Sequence, residues 1–319
     1  MSTVVAAPSA QQLGKFVCIA SIGHSGSTLV GMLLDQYPEC TSMGEITNLH
    51  KFTAQPDMLC GCGTPVLKCP FWLDVEAELR RKTGDLSLKL GEFSRPTELK
   101  KTAFRKLPAL AELLMIWGSP AAWRLGSLIS PRARREREFG ARAVQVYEAI
   151  ATVRGTPITI NSAGATTQMK SIYLADPTRF RAIHVIRDGR GWTCSQMRRE
   201  KSSMEVAVKL FVRRHWNTEL MMRSIPESQR MVVRYEDLCR DTPGTMLTIS
   251  KFLDVDTQLT DFMLKKTEFH GVGGNPMRFR YDESTVQLDE KWRRDLTPAD
   301  LELFEKIGGE TNRRLGYAD

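Results

Sequence analysis

The chain of 319 residues contains 42% hydrophobic and 26% charged residues and has a formal net charge of +8. This length fits one large α/β domain or two smaller ones, and no stretch approaches the roughly 20 apolar residues that a membrane-spanning helix requires. Residues 1–14 lack the basic and apolar parts of a signal peptide, so we expect a flexible tail there. The odd number of cysteines, seven, favours reduced thiols and a cytoplasmic location.

The first predicted element is a buried strand at residues 15–22, KFVCIASI, which form a short apolar run rich in β-branched residues. An apolar helix is predicted directly after it, in GSTLVGMLLDQY. Further strands are predicted at residues 156–161, 181–188 and 231–238, with helical patterns between them that include residues 204–222. The alternation of strands and helices predicts an α/β fold with a parallel sheet covered on both faces.

Residues 73–150 interrupt this alternation, because they are rich in Leu, Ala and Arg and are broken by prolines. We predict a helical insertion there, between the first and second core strands. Its basic run at residues 131–142 is predicted to be a solvated helix face, with an acidic acceptor or a membrane surface as the alternative. Residues 113–129 contain two tryptophans among apolar residues, and either pack in the core, line an acceptor pocket or contact lipid.

The loop between the first strand and its helix has the composition of an anion site. Free backbone N–H groups and the positive end of the helix dipole converge there, and Gly23 and Gly26 allow close approach of the backbone. Three hydroxyl groups add donors, those of Ser25, Ser27 and Thr28. The alternative is an ordinary strand–helix turn. A P-loop NTPase would need a Lys, but this loop has His24 and no Lys, so we expect no ATP hydrolysis.

A second candidate anion site follows the strand predicted at residues 181–188. Arg187 ends the strand, a turn through two glycines follows, and Ser195 lies on the next predicted helix. A cation at a strand end and a hydroxyl on the following helix can hold one phosphate from two sides. The alternative is a surface Arg and a helical Ser that share no ligand.

Taken together, these segments resemble the sulfotransferases that use 3′-phosphoadenosine 5′-phosphosulfate (PAPS), particularly the bacterial and Golgi-like members. GHSGSTLVGMLLDQYP resembles their 5′-phosphosulfate loop, and VIRDGRGWTCS resembles their 3′-phosphate segment. VRYEDL, CGCGTPVLKCPFW and the pair HGVGGNPMRFR and DEKWRRDL also resemble family segments. The resemblance extends over about residues 16–296. It implies a P-loop-like sheet flanked by helices, within a sulfotransferase domain at residues 15–319.

The resemblance also implies where the donor binds. The 5′-phosphosulfate should be held by the loop, that is by Gly23, His24, Ser25, Gly26, Ser27 and Thr28. Arg187 and Ser195 should hold the 3′-phosphate. The C-terminal closing segment should contribute Gly274, Asn275 and Arg278. The sulfuryl group carries less charge than a phosphoryl group, so catalysis should depend on positioning, charge stabilisation and proton removal without Mg²⁺.

The acceptor hydroxyl must lose its proton as it attacks sulfur. Glu45 is the first candidate base, because relatives place a Glu at about this distance from the loop, and His50 and His270 are weaker alternatives. A solvated or ion-paired Glu45 is the structural alternative. His24 replaces the Lys or Arg of relatives, and can act on developing charge only as a hydrogen-bond donor or as imidazolium. NSAG at residues 161–164 replaces the Asp-Ser-Ser-Lys of many relatives.

The cysteines at positions 60, 62 and 69 form a C-x-C-x6-C cluster, which lacks the fourth ligand of a usual zinc site. We therefore expect packing or a labile disulfide, and no metal. The expected partner is a hydroxyl-bearing acceptor, with carbohydrates, lipids and small natural products favoured, and no nucleic acid. Two other functions stay open: a P-loop kinase, and a non-catalytic nucleotide-binding protein of the same fold.

Overall fold

The computed structural model describes residues 14–94, 131–162, 166–257, 259, 262, 269–279 and 286–317. Of the tail predicted at residues 1–14, only residue 14 lies within these ranges. The tryptophan-containing stretch at residues 113–129 lies outside them. A parallel sheet of five strands, in the order β2-β3-β1-β4-β5, forms the centre of the fold. Its strands are β1 (Lys15–Ala20), β2 (Cys40–Ser42), β3 (Ile158–Asn161), β4 (Phe180–Ile186) and β5 (Arg230–Arg234).

Helices connect the strands and cover the sheet. The first group comprises α1 (Ser27–Leu34), α2 (Leu49–Thr53), α3 (Pro70–Thr83), α4 (Pro131–Arg154) and α5 (Thr166–Ala175). The second comprises α6 (Gly189–Glu200), α7 (Met204–Arg223), α8 (Tyr235–Arg240), α9 (Thr242–Leu253), α10 (Trp292–Asp295) and α11 (Pro298–Arg314). Among the described helices, none is both long and apolar enough to cross a lipid bilayer.

Alternation along β1 explains how both faces of the sheet are covered. Phe16, Cys18 and Ala20 belong to one buried cluster, which includes residues of α3, α4 and α5. Val17 and Ile19 belong to the other, which includes residues of α1 and α9. Because successive side chains of a strand point to opposite faces, an almost wholly apolar strand is required at this central position. The predicted α/β fold with a two-sided parallel sheet is confirmed.

The predicted strands at residues 15–22, 156–161 and 181–188 differ from the observed β1, β3 and β4 by one or two residues at their ends, and two larger differences occur. Residues 231–238 were predicted as one strand, but β5 ends at Arg234 and α8 begins at Tyr235. The short β2 at Cys40–Ser42 was not predicted, and it places one core strand ahead of the helical insertion. The insertion itself is described at α3 and α4, and its middle, residues 95–130, lies outside the described ranges.

Two buried histidines pack side by side beneath the sheet. His184 on β4 and His215 on α7 have ring centroids 5.7 Å apart, and the His215 ring lies edge-on to Phe211 at 4.7 Å. Both ring nitrogens of His215 and the Nε2 of His184 lack hydrogen-bond partners among the described residues. Burial lowers the pKa of His184 to about 4, and burial followed by the charge of His184 and Arg314 lowers the pKa of His215.

This pair is expected to make the fold acid-sensitive. An unfolded His titrates near 6.5, so the unfolded chain binds more protons than the folded chain between about pH 4 and 6.5, and stability falls as the pH falls through this window. From pH 7 to pH 5, His184 alone should remove about 2 kcal/mol from the free energy of unfolding. Denaturant unfolding of the wild type and of a His184→Gln, His215→Gln double variant would measure this slope. The double variant should lose much of it, whereas His50→Gln, a substitution of a half-buried histidine elsewhere, should keep it.

Candidate active site

The loop after β1 folds tightly around the start of α1. Gly23, His24 and Gly26 have positive φ values of 79°, 49° and 92°. The hydroxyl of Ser25 donates to the carbonyl of Gly23 at 2.9 Å, and a side chain at Gly26 would lie 2.7 Å from the ring of Tyr235. Left-handed residues and a helix N-terminus place several backbone N–H groups around one concavity, which suits an anion.

Arg187 connects this loop to the second predicted anion motif. Its Nη1 donates to the hydroxyl of Ser195 at 3.3 Å and to the carbonyl of His24 at 3.1 Å. Its Nη2 donates to the carbonyl of Asp289 at 2.8 Å, and its guanidinium lies over the Tyr235 ring at 4.6 Å. The side chain is only 8% exposed. The two motifs that the sequence singled out thus meet at one place, although they are separated by more than 150 residues.

The closing segment packs on the first turn of α1. The backbone N–H of Asn275 donates to the Thr28 hydroxyl at 3.2 Å, and a side chain at Gly274 would lie 3.0 Å from the same oxygen. The guanidinium of Arg278 is buried and donates to the carbonyl of Gly274 at 3.3 Å. The structure therefore brings Gly274 and Asn275 to the first turn of α1, and Arg278 contacts Gly274 behind them.

A cleft of about 360 Å³ opens beside the loop. The loop side contributes Ser21, Ile22, Gly23 and Ser27. Helix α7 contributes Arg214, Asn217 and Thr218, and the remaining lining residues are Glu45, Ser162 and Thr166. Most of these side chains are polar, and the only charged ones among them are Glu45 and Arg214. Such a lining suits a small polar substrate. It also places the carboxylate of Glu45 and the guanidinium of Arg214 in the same cleft.

Glu45 is held firmly in this cleft. Its backbone N–H donates to the carbonyl of Val272 at 2.7 Å, and its Oε2 accepts a hydrogen bond from the amide of Asn48 at 3.2 Å. A Cβ atom at position 273 would lie 3.0 Å from the Cβ of Glu45, so the glycine at this position leaves room for Glu45. Neither alternative base lines the cleft: His50 lies on α2, and His270 lies among the cysteines at positions 60 and 69.

The side chain of His24 does not line the cleft. Its ring lies beside Trp192, with the ring centroids 6.4 Å apart. Burial and then the positive charge of Arg199 lower the pKa of His24, an effect that nearby Arg214 and Arg187 reinforce. In the free protein the imidazole is therefore neutral at physiological pH. A neutral His24 can donate one hydrogen bond, but it cannot supply the fixed positive charge that a Lys or an Arg would supply.

Arg214 is the cation that the sequence analysis missed. It lies on α7 and lines the cleft that also contains Glu45 and Ser27. Its Nη1 donates to the carbonyl of Ile22 at 2.8 Å, one residue before the loop glycine. The helix was predicted at residues 204–222, but the observed α7 contains three arginines, and no spacing rule identifies which one faces a loop almost two hundred residues earlier.

The cysteines at positions 60, 62 and 69 lie close to His270, which their spacing in the sequence did not reveal. Three sulfur atoms and the Nδ1 of His270 lie within 4.8 Å of one another. The expectation that no metal binds this protein depended on the lack of a fourth ligand, and His270 offers a ring nitrogen at that position. All seven cysteines are free thiols in the structure, so the labile disulfide considered above is not formed there.

Comparisons with known proteins agree with the motifs. Residues 166–316 match the family described as the sulfotransferase domain, and this range includes Arg187, Ser195 and the closing segment. No curated protein sequence is significantly similar to the chain. The sulfotransferase domain of the Synechococcus PCC 7002 olefin synthase has a similar solved structure, with 17% identity, a TM-score of 0.51 and coverage of 96% of this chain and 95% of that one.

Two further solved structures are more distant. The sulfotransferase domain from the curacin biosynthetic pathway is 15% identical with a TM-score of 0.49, over 96% of this chain and 98% of that one. A sulfotransferase from Mycobacterium avium is 12% identical with a TM-score of 0.47, over 95% of this chain and 77% of that one. The chain has the sulfotransferase fold, and its C-terminal half matches the sulfotransferase domain family. The resemblance drawn from the motifs is thus confirmed for the fold and for residues 166–316.

Proposed function

We propose that the protein transfers the sulfuryl group of PAPS to a hydroxyl group of an acceptor. The observation that carries this proposal is that the loop at residues 23–28 adjoins two further elements: Arg187, which contacts both the loop and Ser195, and a cleft that Glu45 lines together with Gly23 and Ser27 of the loop. A nucleotide-phosphate site alone would need only the loop and the Arg187–Ser195 pair. The carboxylate beside the loop adds a group that can accept a proton from an attacking hydroxyl.

The residues present fit the donor. Arg187 is buried, and its Nη1 lies between the Ser195 hydroxyl and the loop carbonyl of His24, so a 3′-phosphate there would gain a charge-assisted hydrogen bond. The curled loop and the N-terminus of α1 would hold the 5′-phosphosulfate. PAPS supplies the sulfuryl group and the leaving phosphate. Gly274, Asn275 and Arg278 would cover the nucleotide from the C-terminal side.

In the reaction, a bond forms between the acceptor oxygen and sulfur while the bond from sulfur to the phosphate oxygen breaks. We assign Glu45 as the base that takes the acceptor proton, because its carboxylate lines the cleft and is oriented by Asn48. Arg214 would stabilise the charge on the sulfuryl oxygens, in the role that the resemblance gave to His24. His24 then shapes the loop and donates at most one hydrogen bond.

The cleft also restricts the acceptor. A volume of about 360 Å³ holds a small molecule or the end of a larger one, and the lining from Ser162, Thr166, Asn217 and Thr218 offers hydroxyl and amide groups. These groups match a hydroxylated acceptor, such as a carbohydrate, a polar lipid headgroup or a small natural product. Acceptor screening with labelled PAPS tests the proposal. Tight binding of 3′-phosphoadenosine 5′-phosphate without turnover would instead favour a non-catalytic binding protein, and ATP turnover would favour a kinase.

Arg187→Ala is expected to weaken donor binding about 10–150-fold, since a charge-assisted hydrogen bond to phosphate contributes roughly 1.5–3 kcal/mol. Calorimetry with 3′-phosphoadenosine 5′-phosphate measures this loss, and the analogue lacking the 3′-phosphate should bind both proteins equally. Arg181→Ala, at the opposite end of β4, is the matched control and should bind like the wild type. A wild type that does not distinguish the two nucleotides would show that Arg187 does not hold the 3′-phosphate.

A further inference from the structure

Four side chains from three separate segments converge beside the closing segment. The sulfur of Cys69 lies 3.7 Å from the sulfurs of both other cysteines of the cluster, Cys60 and Cys62. The Nδ1 of His270 lies 3.4 Å from the sulfur of Cys69 and 3.6 Å from that of Cys60. All four atoms lie within 4.8 Å of one another, and all of them are types that bind zinc.

Four of the six distances between these atoms are close to those of a zinc tetrahedron, and the other two lie within 4.8 Å. With Zn–S bonds of about 2.3 Å and a Zn–N bond of about 2.0–2.1 Å, tetrahedral geometry separates two sulfurs by about 3.8 Å and a sulfur from a nitrogen by about 3.6 Å. The observed separations are 3.7 Å between sulfurs and 3.4–3.6 Å from sulfur to nitrogen. A disulfide would instead need two sulfurs about 2.05 Å apart.

The surroundings fix each ligand. The N–H of Cys60 donates to the carbonyl of Thr64 at 2.8 Å, and the N–H of Gly63 donates back to the carbonyl of Cys60 at 2.9 Å, which forms a tight turn around Cys62. Cys69 directly precedes α3 and is fully buried. The His270 ring stacks on Phe71 with ring centroids 4.6 Å apart and an interplanar angle of 14°. The rings and turns therefore hold the ligand atoms in place before any ion arrives.

We propose that this protein binds one structural zinc ion through Cys60, Cys62, Cys69 and His270. Three deprotonated cysteines and a neutral histidine make a complete set of four ligands, with no position left for water or substrate. The ion is therefore structural and takes no part in sulfuryl transfer. This site is independent of the proposed activity, and would form equally in a protein that only binds nucleotides.

The position of the site indicates what the ion stabilises. The N–H of Gly61 donates to the carbonyl of Gly271 at 2.9 Å, and the carbonyl of Val272, the next residue, accepts from the N–H of Glu45. Gly274 and Asn275 follow and contact Thr28 on α1. A zinc ion on His270 would thus fasten the closing segment at its N-terminal end, a few residues from both Glu45 and the phosphate loop.

The metal content of the purified full-length chain tests the proposal. Elemental analysis after purification without chelators should find one zinc ion per chain. Cys62→Ser is the informative variant, because Cys62 is the exposed member and its replacement disturbs no packing. The variant should lose its zinc to a competing chelator that leaves wild-type zinc in place. Cys239→Ser, which removes a thiol outside the cluster, should keep its zinc.

A second measurement guards against misfolding of the variants. Tetrahedral cobalt, substituted for zinc in the wild-type protein, should give visible d–d bands and a thiolate-to-metal charge-transfer band, and zinc should displace it. An excess of EDTA should lower the melting temperature of the wild type, whereas Cys62→Ser already treated with the competing chelator should show no further change with EDTA. Three results would overturn the proposal: a wild type with little zinc, equal zinc retention in Cys62→Ser, or a purified protein whose main form contains a Cys62–Cys69 disulfide.

Discussion

Glu45→Gln is expected to lower kcat about 10²–10⁴-fold while donor affinity stays nearly unchanged, because the amide keeps the size of the side chain but cannot accept the acceptor proton. The contact of Oε2 with the Asn48 amide orients the carboxylate, and the Val272 carbonyl fixes the backbone of Glu45. Single-turnover transfer from labelled PAPS measures the rate, and calorimetry with 3′-phosphoadenosine 5′-phosphate measures the affinity.

Glu227→Gln provides the control for this measurement, because Glu227 is an exposed carboxylate on the short turn before β5. It should leave both the rate and the affinity at wild-type values. A fully active Glu45→Gln variant would remove Glu45 as the base. Attention would then move to His50 and His270, although neither lines the cleft and His270 is surrounded by Cys60, Cys69 and Phe71.

Arg214→Met is expected to lower kcat about 10²–10³-fold, the typical cost of removing one group that stabilises developing negative charge. The variant keeps an unbranched side chain along α7 but removes the guanidinium from the cleft and its hydrogen bond to the carbonyl of Ile22. Arg213→Met is a matched control one position earlier on the same helix. Its side chain is exposed and outside the cleft, and its transfer rate should stay at the wild-type value.

His24→Ala should have a much smaller effect than Arg214→Met if Arg214 carries the charge. Because burial and Arg199 lower the pKa of His24, its positive charge is lost as the pH rises toward neutrality. A catalytic imidazolium would therefore make kcat fall as pH rises, and His24→Lys would remove that fall. Superimposable pH profiles of kcat for the wild type, His24→Ala and His24→Lys would support Arg214 as the residue that stabilises the developing charge. A kcat that falls with rising pH in the wild type, together with an active Arg214→Met variant, would instead assign this role to His24.

The sequence predicted the sheet well because its strands are short apolar runs between turns. The two-sided burial of β1, β3 and β4 appears directly in their composition. The exceptions have physical causes. Strand β2 has three residues, Cys40–Ser42, and no apolar alternation to detect. In residues 231–238 the polar helix α8 follows β5 without an intervening turn residue, so propensity alone does not separate them.

The candidate site was only partly predictable. The loop, Arg187 and Ser195 stand in motifs whose spacing already suggests an anion, and the structure places them together. Arg214 and His270 could not be found in this way, because each acts through a contact with a segment about two hundred residues away. Such contacts depend on how the chain returns to the sheet, and a local pattern contains no information about them.

The strand order has a consequence for how the chain must fold. β1 is the first of the described strands along the chain, yet it lies in the middle of the sheet, where Cys18 pairs with Asn161, 143 residues later, and Ala20 pairs with His184. The entropy of closing such long loops must be lost before the strands can pair, and this makes folding slow. During synthesis, β1 therefore waits as an unpaired apolar segment until β3 and β4 have left the ribosome, and any truncation ahead of β4 leaves one of its edges open to aggregation.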